Sequence, residues 1–346
     1  MSVELLSKIL LVIFTCFLFV YILVPVIKKV ANHVGAMDIP NNRKVHKVPI
    51  PRLGGLAIFA GFLFGYIVFG THSDVMTSIL IGSFIIIITG MIDDIKPLSA
   101  KVKLLGQLAA TLIVVFHGQV LLQSVSAFGF YINFGWLAYP ITIIFILSFI
   151  NCMNLIDGLD GLATGISSIF FLTVGIIAIF KNSHGLDFML CFIMLGSCLG
   201  FLRYNANPAQ IFMGDTGSMF LGFIISIISL LGFKNVTMTS IIIPFMIIAI
   251  PFLDTIFAII RRTLKNESIT KPDKFHIHHQ LLKMNFSYKK TVFIICLIDA
   301  LFAFTSIVYV LIDRQLGYIL YGILLVIVII FIIKTDVIVE HKKSKN

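Results

Sequence analysis

The stretch AYPITIIFILSFINCMNLIDGLDGLATGISSIFFLTVGIIAIF (Ala138–Phe180) decides how the whole chain is read. Two apolar segments, each long enough to cross a bilayer as a helix, flank a short polar turn. Asn151, Asn154 and Asp157 are spaced by three, so on a helix they share one face. Asp160 would lie opposite Asn151 if that helix continued, but Gly158 and Gly161 favour a turn whose backbone can approach a ligand. A plainer alternative makes Asp160 the cap of the following helix.

The same pattern extends outward. The chain has 346 residues, 59% hydrophobic and 12% charged, with a mean hydropathy of +1.05. A soluble domain of this length could not hide that much apolar surface, whereas a bilayer requires it. The expected fold class is therefore an all-α polytopic membrane protein. About eleven transmembrane helices would form one bundle, a single domain over 1–346. They fall near 5–27, 53–70, 76–92, 102–118, 135–155, 162–180, 187–204, 216–233, 239–260, 291–311 and 317–335. The first apolar run, Ile9 to Ile27, is too long for a signal-peptide core and lacks a small-residue cleavage site, so it reads as a retained span. The 119–134 connection alternates weakly and suits a short hairpin or an interfacial segment.

Charge sets the sidedness. With the N-terminus outside, loops 28–52, 93–101, 156–161, 205–215 and 261–290 and the C-terminal tail are cytoplasmic. That arrangement places 22 of the 26 Lys and Arg inside, leaving only Lys8, Lys181, Lys234 and Arg314 outside. Topology thus explains the net charge of +10 without a nucleic-acid partner. Five scattered cysteines with no CxxC pair read as small buried hydrophobes.

The acids are the informative minority. Asp93, Asp94, Asp157, Asp160, Asp215 and Asp254 all lie within about two turns of cytoplasmic span ends, where a functional site is the default hypothesis. In GMIDDIKP (Gly90–Pro97), the adjacent Asp93 and Asp94 repel unless a cation or a metal-bound phosphate shares their site. A solvated helix end, with Lys96 nearby, is the alternative. NPAQIFMGDTGSMFLG (Asn207–Gly222) sets Asp215 between Gly214 and Gly217 at a helix start, suited to a metal–diphosphate or to simple capping. Phe212 suits either core packing or stacking on a base.

Two basic loops supply the complementary charge. PNNRKVHKVPIPRLGG (Pro40–Gly55) carries Arg43, Lys44, His46, Lys47 and Arg52. RRTLKNESITKPDKFHIHHQLL (Arg261–Leu282) carries Arg261, Arg262, Lys271, Lys274 and the trio His276, His278 and His279. No cysteine cluster or HExxH accompanies HIHH, so histidines holding phosphate or sugar oxygens are favoured over zinc. Carboxylates for a divalent cation, glycine turns and basic loops together equip the inner face for phosphoryl transfer.

At these motifs the chain resembles the polyprenyl-phosphate N-acetylhexosamine-1-phosphate transferase family. Five motifs follow the family's order over nearly the whole length. The RKVH…PIPRLGG loop and HIHH look more like the WecA/TagO-type branch than like MraY, whose usual GTPTMGG loop and contiguous HHH are absent. The resemblance implies an enzyme of the bacterial plasma membrane with its active site on the cytoplasmic face. It would use Mg²⁺, or Mn²⁺ in its place, to transfer N-acetylglucosamine-1-phosphate from a UDP-N-acetylhexosamine to undecaprenyl or another polyprenyl phosphate. UMP leaves, and the product is the first lipid-linked intermediate of a cell-envelope polysaccharide or teichoic acid.

Residue by residue, the resemblance implies Asp93, Asp94 and Lys47 as catalytic. Asp93 would engage or deprotonate the lipid phosphate, and Lys47 would lie near the phosphates. It implies Asp215 as the metal ligand and Asn154, Asp157, Phe212, His276, His278 and His279 around nucleotide and sugar. Asn151, Asp160, Asp254 and Arg262 are further candidates without a fixed role. A homodimer is compatible with the family. The rivals are a phospho-MurNAc-pentapeptide transferase (MraY-like) and, from another class, an ion-coupled secondary transporter. Against the transporter, the acids gather at one face and no two-fold internal repeat is visible.

Overall fold

A computed structural model describes residues 3–40, 48–127, 130–183, 185–234, 242–267 and 275–334. Among them, nine helices are long and apolar enough to cross a membrane. They are α1 (Val3–Val34), α3 (Asp74–Ile95), α4 (Ala100–Leu112, extended by a π turn to His117), α5 (Ala138–Ile156), α6 (Leu162–Phe180), α7 (Leu186–Asn205), α8 (Gly214–Lys234), α12 (Tyr288–Leu311) and α13 (Arg314–Lys334). The chain is an all-α polytopic integral membrane protein.

Two of the eleven expected spans differ from the rest. Helix α2 (Gly54–Phe69) has 16 residues, about 24 Å of rise, short of the roughly 30 Å hydrocarbon thickness. The 239–260 segment contains two helices, α9 (Ile242–Ile247) and α10 (Ala249–Leu264). Pro251 is the cause: it has no N–H for the Ile247 carbonyl, and its ring crowds that carbonyl. The backbone leaves helical geometry at Ile248, φ −111° and ψ 43°. A seven-residue helix, α11 (Ile277–Lys283), precedes α12.

The bundle is organised around α8, whose apolar span is 94% buried, whereas that of α13 at the edge is 17% buried. Helices α2, α3 and α5 pack directly on α8. Gly55 of α2 lies on the backbone of Gly217 in α8, where any side chain would collide. Close helix approach of this kind needs small residues. The five cysteines are unpaired, as expected of packing residues.

Two small sheets complete the fold. The pair β1 (Met37–Asp38) and β2 (Ile50–Pro51) is antiparallel, Asp38 facing Ile50. The chain before α8 extends it, since the Phe212 N–H donates to the Pro51 carbonyl (2.8 Å) and the Gly54 N–H to the Phe212 carbonyl (2.9 Å). This clamp sets Arg52 against the first turn of α8. The 119–134 connection carries an antiparallel hairpin, β3 (Ser124–Ala127) with β4 (Phe130–Asn133).

Candidate active site

Three carboxylates converge at the start of α8. Oxygens of Asp93 and Asp94, at the end of α3, and of Asp215, in the first turn of α8, lie within 4.8 Å of one another. Such a gathering needs cations, and two side chains supply them. Lys103 of α4 places Nζ 3.1 Å from Asp93 Oδ2 and 2.8 Å from Asp215 Oδ2. Arg52 places Nε 3.2 Å from Asp94 Oδ1, Nη2 3.7 Å from Asp215 and Nη1 3.5 Å from Asp38. Burial works against the Arg52 charge, but Asp94, Asp38 and Asp215 outweigh it and hold its pKa above the ordinary value.

The two adjacent aspartates have different tasks. Asp94 Oδ1 accepts from the Asp215 N–H (2.9 Å), and Oδ2 accepts from the Thr216 N–H (3.0 Å) and hydroxyl (2.6 Å). It therefore caps α8 from a separate helix, satisfying donors that have no partner inside α8. Gly214 adopts φ 70°, and a side chain there would fall on the Asp94 carboxylate. Asp93 accepts from the Leu98 N–H (2.7 Å) through Oδ1 and turns Oδ2 to Lys103.

The opening stretch divides along α5. Asn151 donates to Gln107 Oε1 of α4 (2.9 Å) and Asn154 to Ser218 Oγ of α8 (2.9 Å). Asp157 closes α5 and lines a cavity of about 450 Å³ with Arg52, Phe212, Gly214 and His279. Burial, then the neighbouring Asp215, push the Asp157 carboxyl up to about 7, against the pull of Arg52. Asp160 does not cap α6. Its Oδ2 accepts from Asn207 Nδ2 (2.9 Å) and the Ala209 N–H (3.1 Å), tying down the turn before Phe212. Gly161, φ 78°, begins α6, and Asn205 Oδ1 accepts its N–H (3.1 Å) and the Thr164 hydroxyl (2.9 Å).

Asp254, for which the sequence offered no role, holds the histidine trio. Its Oδ2 lies 2.8 Å from His276 Nδ1, and Oδ1 accepts the Ile277 N–H at 2.8 Å. This fixes the His276 ring. The His276 and His278 rings are parallel at 5.6 Å, and those of His278 and His279 lie 4.2 Å apart. His278 Nε2 abuts Gly158, where a Cβ would come within 2.7 Å. The HIHH segment and the NLIDGLDGLA turn thus adjoin, and His279 and Asp157 to Asp160 line one cavity. Arg262 is buried in the last turn of α10. Lys47 lies outside the described residues.

Sequence reasoning missed Lys103, Asp38 and Asn205. Lys103 did leave a signal: Lys103, Gln107 and Thr111 repeat every four residues, a polar stripe on a helix whose other residues, Lys101 apart, are apolar or small. Asp38 and Asn205 left none.

The cluster suits a hard divalent cation, which prefers carboxylate oxygens. Next to it lies a cavity of about 450 Å³ with the Phe212 ring and the His279 imidazole in its lining. That is equipment for handling a phosphorylated ligand at a membrane surface.

Comparison with known proteins agrees. Residues 76–233 match the model of glycosyl transferase family 4. The chain is 47% identical over 292 residues to the Bacillus subtilis (strain 168) protein named "Probable undecaprenyl-phosphate N-acetylglucosaminyl 1-phosphate transferase", covering 84% of this chain and 81% of that one. It is 32% identical over 310 residues to the decaprenyl-phosphate N-acetylglucosaminephosphotransferase of Mycobacterium tuberculosis (strain CDC 1551 / Oshkosh), covering 80% and 76%. With the undecaprenyl-phosphate alpha-N-acetylglucosaminyl 1-phosphate transferase of Escherichia coli (strain K12) it shares 31% identity over 294 residues, covering 83% and 80%. Fold, cavity and relatives converge, and the chain belongs to glycosyl transferase family 4, the polyprenyl-phosphate N-acetylhexosamine-1-phosphate transferases.

Proposed function

We propose that this chain transfers N-acetylglucosamine-1-phosphate from UDP-N-acetylglucosamine to undecaprenyl phosphate at the cytoplasmic face of the membrane. UMP is released, and the product is the first lipid-linked intermediate of an envelope polymer. The supporting observation is the Asp93–Asp94–Asp215 cluster beside the cavity of Asp157, Phe212 and His279. Asp215, with Asp93 in reach, would hold Mg²⁺, which supplies charge neutralisation for the diphosphate.

The residues divide the work. Phe212 and the Asp157–Gly158 turn take the nucleoside, and His276, His278 and His279 take the sugar and diphosphate. Lys47, by its place in the family motif, and Lys103 balance charge on the reacting phosphates. Asp93 receives the lipid phosphate. A lipid phosphate oxygen bonds to the β-phosphorus while the bond from that phosphorus to the α–β bridging oxygen breaks. The electron pair leaves with UMP, and catalysis is chiefly positioning and charge balance. Asp94 acts through α8, keeping Asp215 aimed.

Purified protein, undecaprenyl phosphate, Mg²⁺ and a panel of UDP-sugars, scored for UMP, test the proposal. Release with UDP-N-acetylglucosamine above its epimers is expected. No release with any sugar would return the transporter reading to first place.

A further inference from the structure

Phe275 leads directly into the histidine trio, and three cations crowd its ring. Arg261 Cζ lies 5.3 Å from the ring centroid, Lys265 Nζ 4.8 Å and Lys283 Nζ 4.9 Å. Three like charges repel one another, and the electron-rich face of a phenyl ring offsets that cost. Arg261 Nη1 also donates to the Phe275 carbonyl, at 3.4 Å. Arg261 is buried, so its attraction to the ring is screened less than that of the two exposed lysines.

The geometry of α10 carries these contacts to the site. Asp254, Arg261 and the capping residue Lys265 stand at i, i+7 and i+11, within about 20° of one line along the helix. That stripe grips the chain entering α11 twice. Asp254 holds the His276 ring and the Ile277 N–H, each at 2.8 Å. Two turns further along, Arg261 and Lys265 hold Phe275. Lys283, in the last turn of α11, reaches the same ring from the helix that carries His278 and His279. Phe275 therefore ties α10 to α11 one residue before His276. The trio in turn borders the cavity, since His279 lines it and His278 Nε2 abuts Gly158.

We propose that Phe275 is a positioning residue: its ring, held by Arg261, Lys265 and Lys283, fixes the entry to α11 and with it the histidines that meet the sugar nucleotide. The inference rests on the transfer reaction proposed above. A phenylalanine that merely filled space would behave differently. Leucine would replace it at little cost to catalysis, whereas leucine offers the cations no ring face.

The full chain in nanodiscs, as wild type, Phe275→Leu, Phe275→Tyr and Lys283→Met, separates these cases. Phe275→Leu should lose about tenfold in kcat/KM for UDP-N-acetylglucosamine, while its KM for undecaprenyl phosphate stays within about twofold. Phe275→Tyr keeps the ring face and should remain within about threefold of wild type. Lys283→Met removes a charge and should cost about threefold on its own, but almost nothing when added to Phe275→Leu, because the ring contact is already gone. Wild-type kinetics in Phe275→Leu would overturn the clamp, and so would equal loss in the leucine and tyrosine variants or a shift in acceptor KM alone. If Phe275→Leu does not fold, Lys283→Met decides, and unchanged kinetics there would overturn the clamp. A lower melting point with matching losses for both substrates would overturn it too, marking Phe275 as structural only. A wild type that releases no UMP would refute the transfer reaction instead. UDP titrated calorimetrically into the same variants then decides the clamp, with weaker binding expected for Phe275→Leu than for Phe275→Tyr and equal binding overturning it.

Discussion

Replacing Asp94 with asparagine exchanges one oxygen for an NH₂ group and should disable α8 without touching Asp215 itself. Asp94 Oδ1 accepts from the Asp215 N–H and Arg52 Nε, and Oδ2 from the Thr216 N–H and hydroxyl. An asparagine can keep its oxygen on only one of these pairs. If it stays with Thr216, the NH₂ opposes the Asp215 N–H, leaving a buried donor unsatisfied at about 1–3 kcal/mol. The Arg52 contact is lost as well, and its share is discounted because that side chain is 30% exposed and keeps Asp38 and Asp215 as partners. A loss of about 2 kcal/mol follows, comparable to a strong helix cap. Relief requires the first turn of α8 to shift, and a shift of about 1 Å can lower a rate about a hundredfold. The expected result is kcat about a hundredfold lower, a higher Mg²⁺ requirement and a melting point a few degrees lower. Thr216→Val, which removes a donor without creating a clash, should cost less than about tenfold. Asp94→Asn with near-normal kinetics would refute the capping argument. Lost activity with unchanged melting and Mg²⁺ dependence would instead make Asp94 a direct participant.

Asp215→Asn should abolish transfer at every Mg²⁺ concentration; near-normal activity at saturating Mg²⁺ would remove Asp215 from the metal assignment. Lys103→Gln takes away the ammonium 2.8 Å from Asp215. It should lower the Mg²⁺ concentration for half-saturation about tenfold, near 1.4 kcal/mol, while kcat falls, both readable in one titration. For Asp157 the sign follows from a carboxyl raised to about 7 in the folded protein. The folded state holds the proton more tightly than the unfolded chain, so this stabilisation is full below about pH 4 and lost as pH rises through 7. Asp157→Asn should flatten that slope, and melting curves from pH 4.5 to 7.5 check it; parallel curves for both proteins would contradict the shift.

The membrane class and nearly all the helical segments were legible in the chain, because bilayer thickness demands long apolar runs and the 3.6-residue period needs no partner. The two departures followed local rules as well: α2 is short, and Pro251 splits α9 from α10. The acidic cluster was legible as a list, since Asp93, Asp94 and Asp215 each stand at a helix end in an otherwise apolar stretch. How its members share the work was not. Asp93 and Asp94 are neighbours in sequence, yet one turns to Lys103 and the other caps a helix that begins more than a hundred residues later.

The sequence by itself determined that this protein lives in a bilayer and gathers its acids at one side, since apolar length and charge sign are properties of the chain alone. Only the tertiary structure decided that Lys103 bridges Asp93 to Asp215, that Asp254 aims His276, and that Asp160 pins a loop rather than starting a helix. Those outcomes depend on which helix ends meet. In a packed bundle an unpaired amide or carboxylate pairs with whatever donor or acceptor the packing brings within about 3 Å, however distant in sequence.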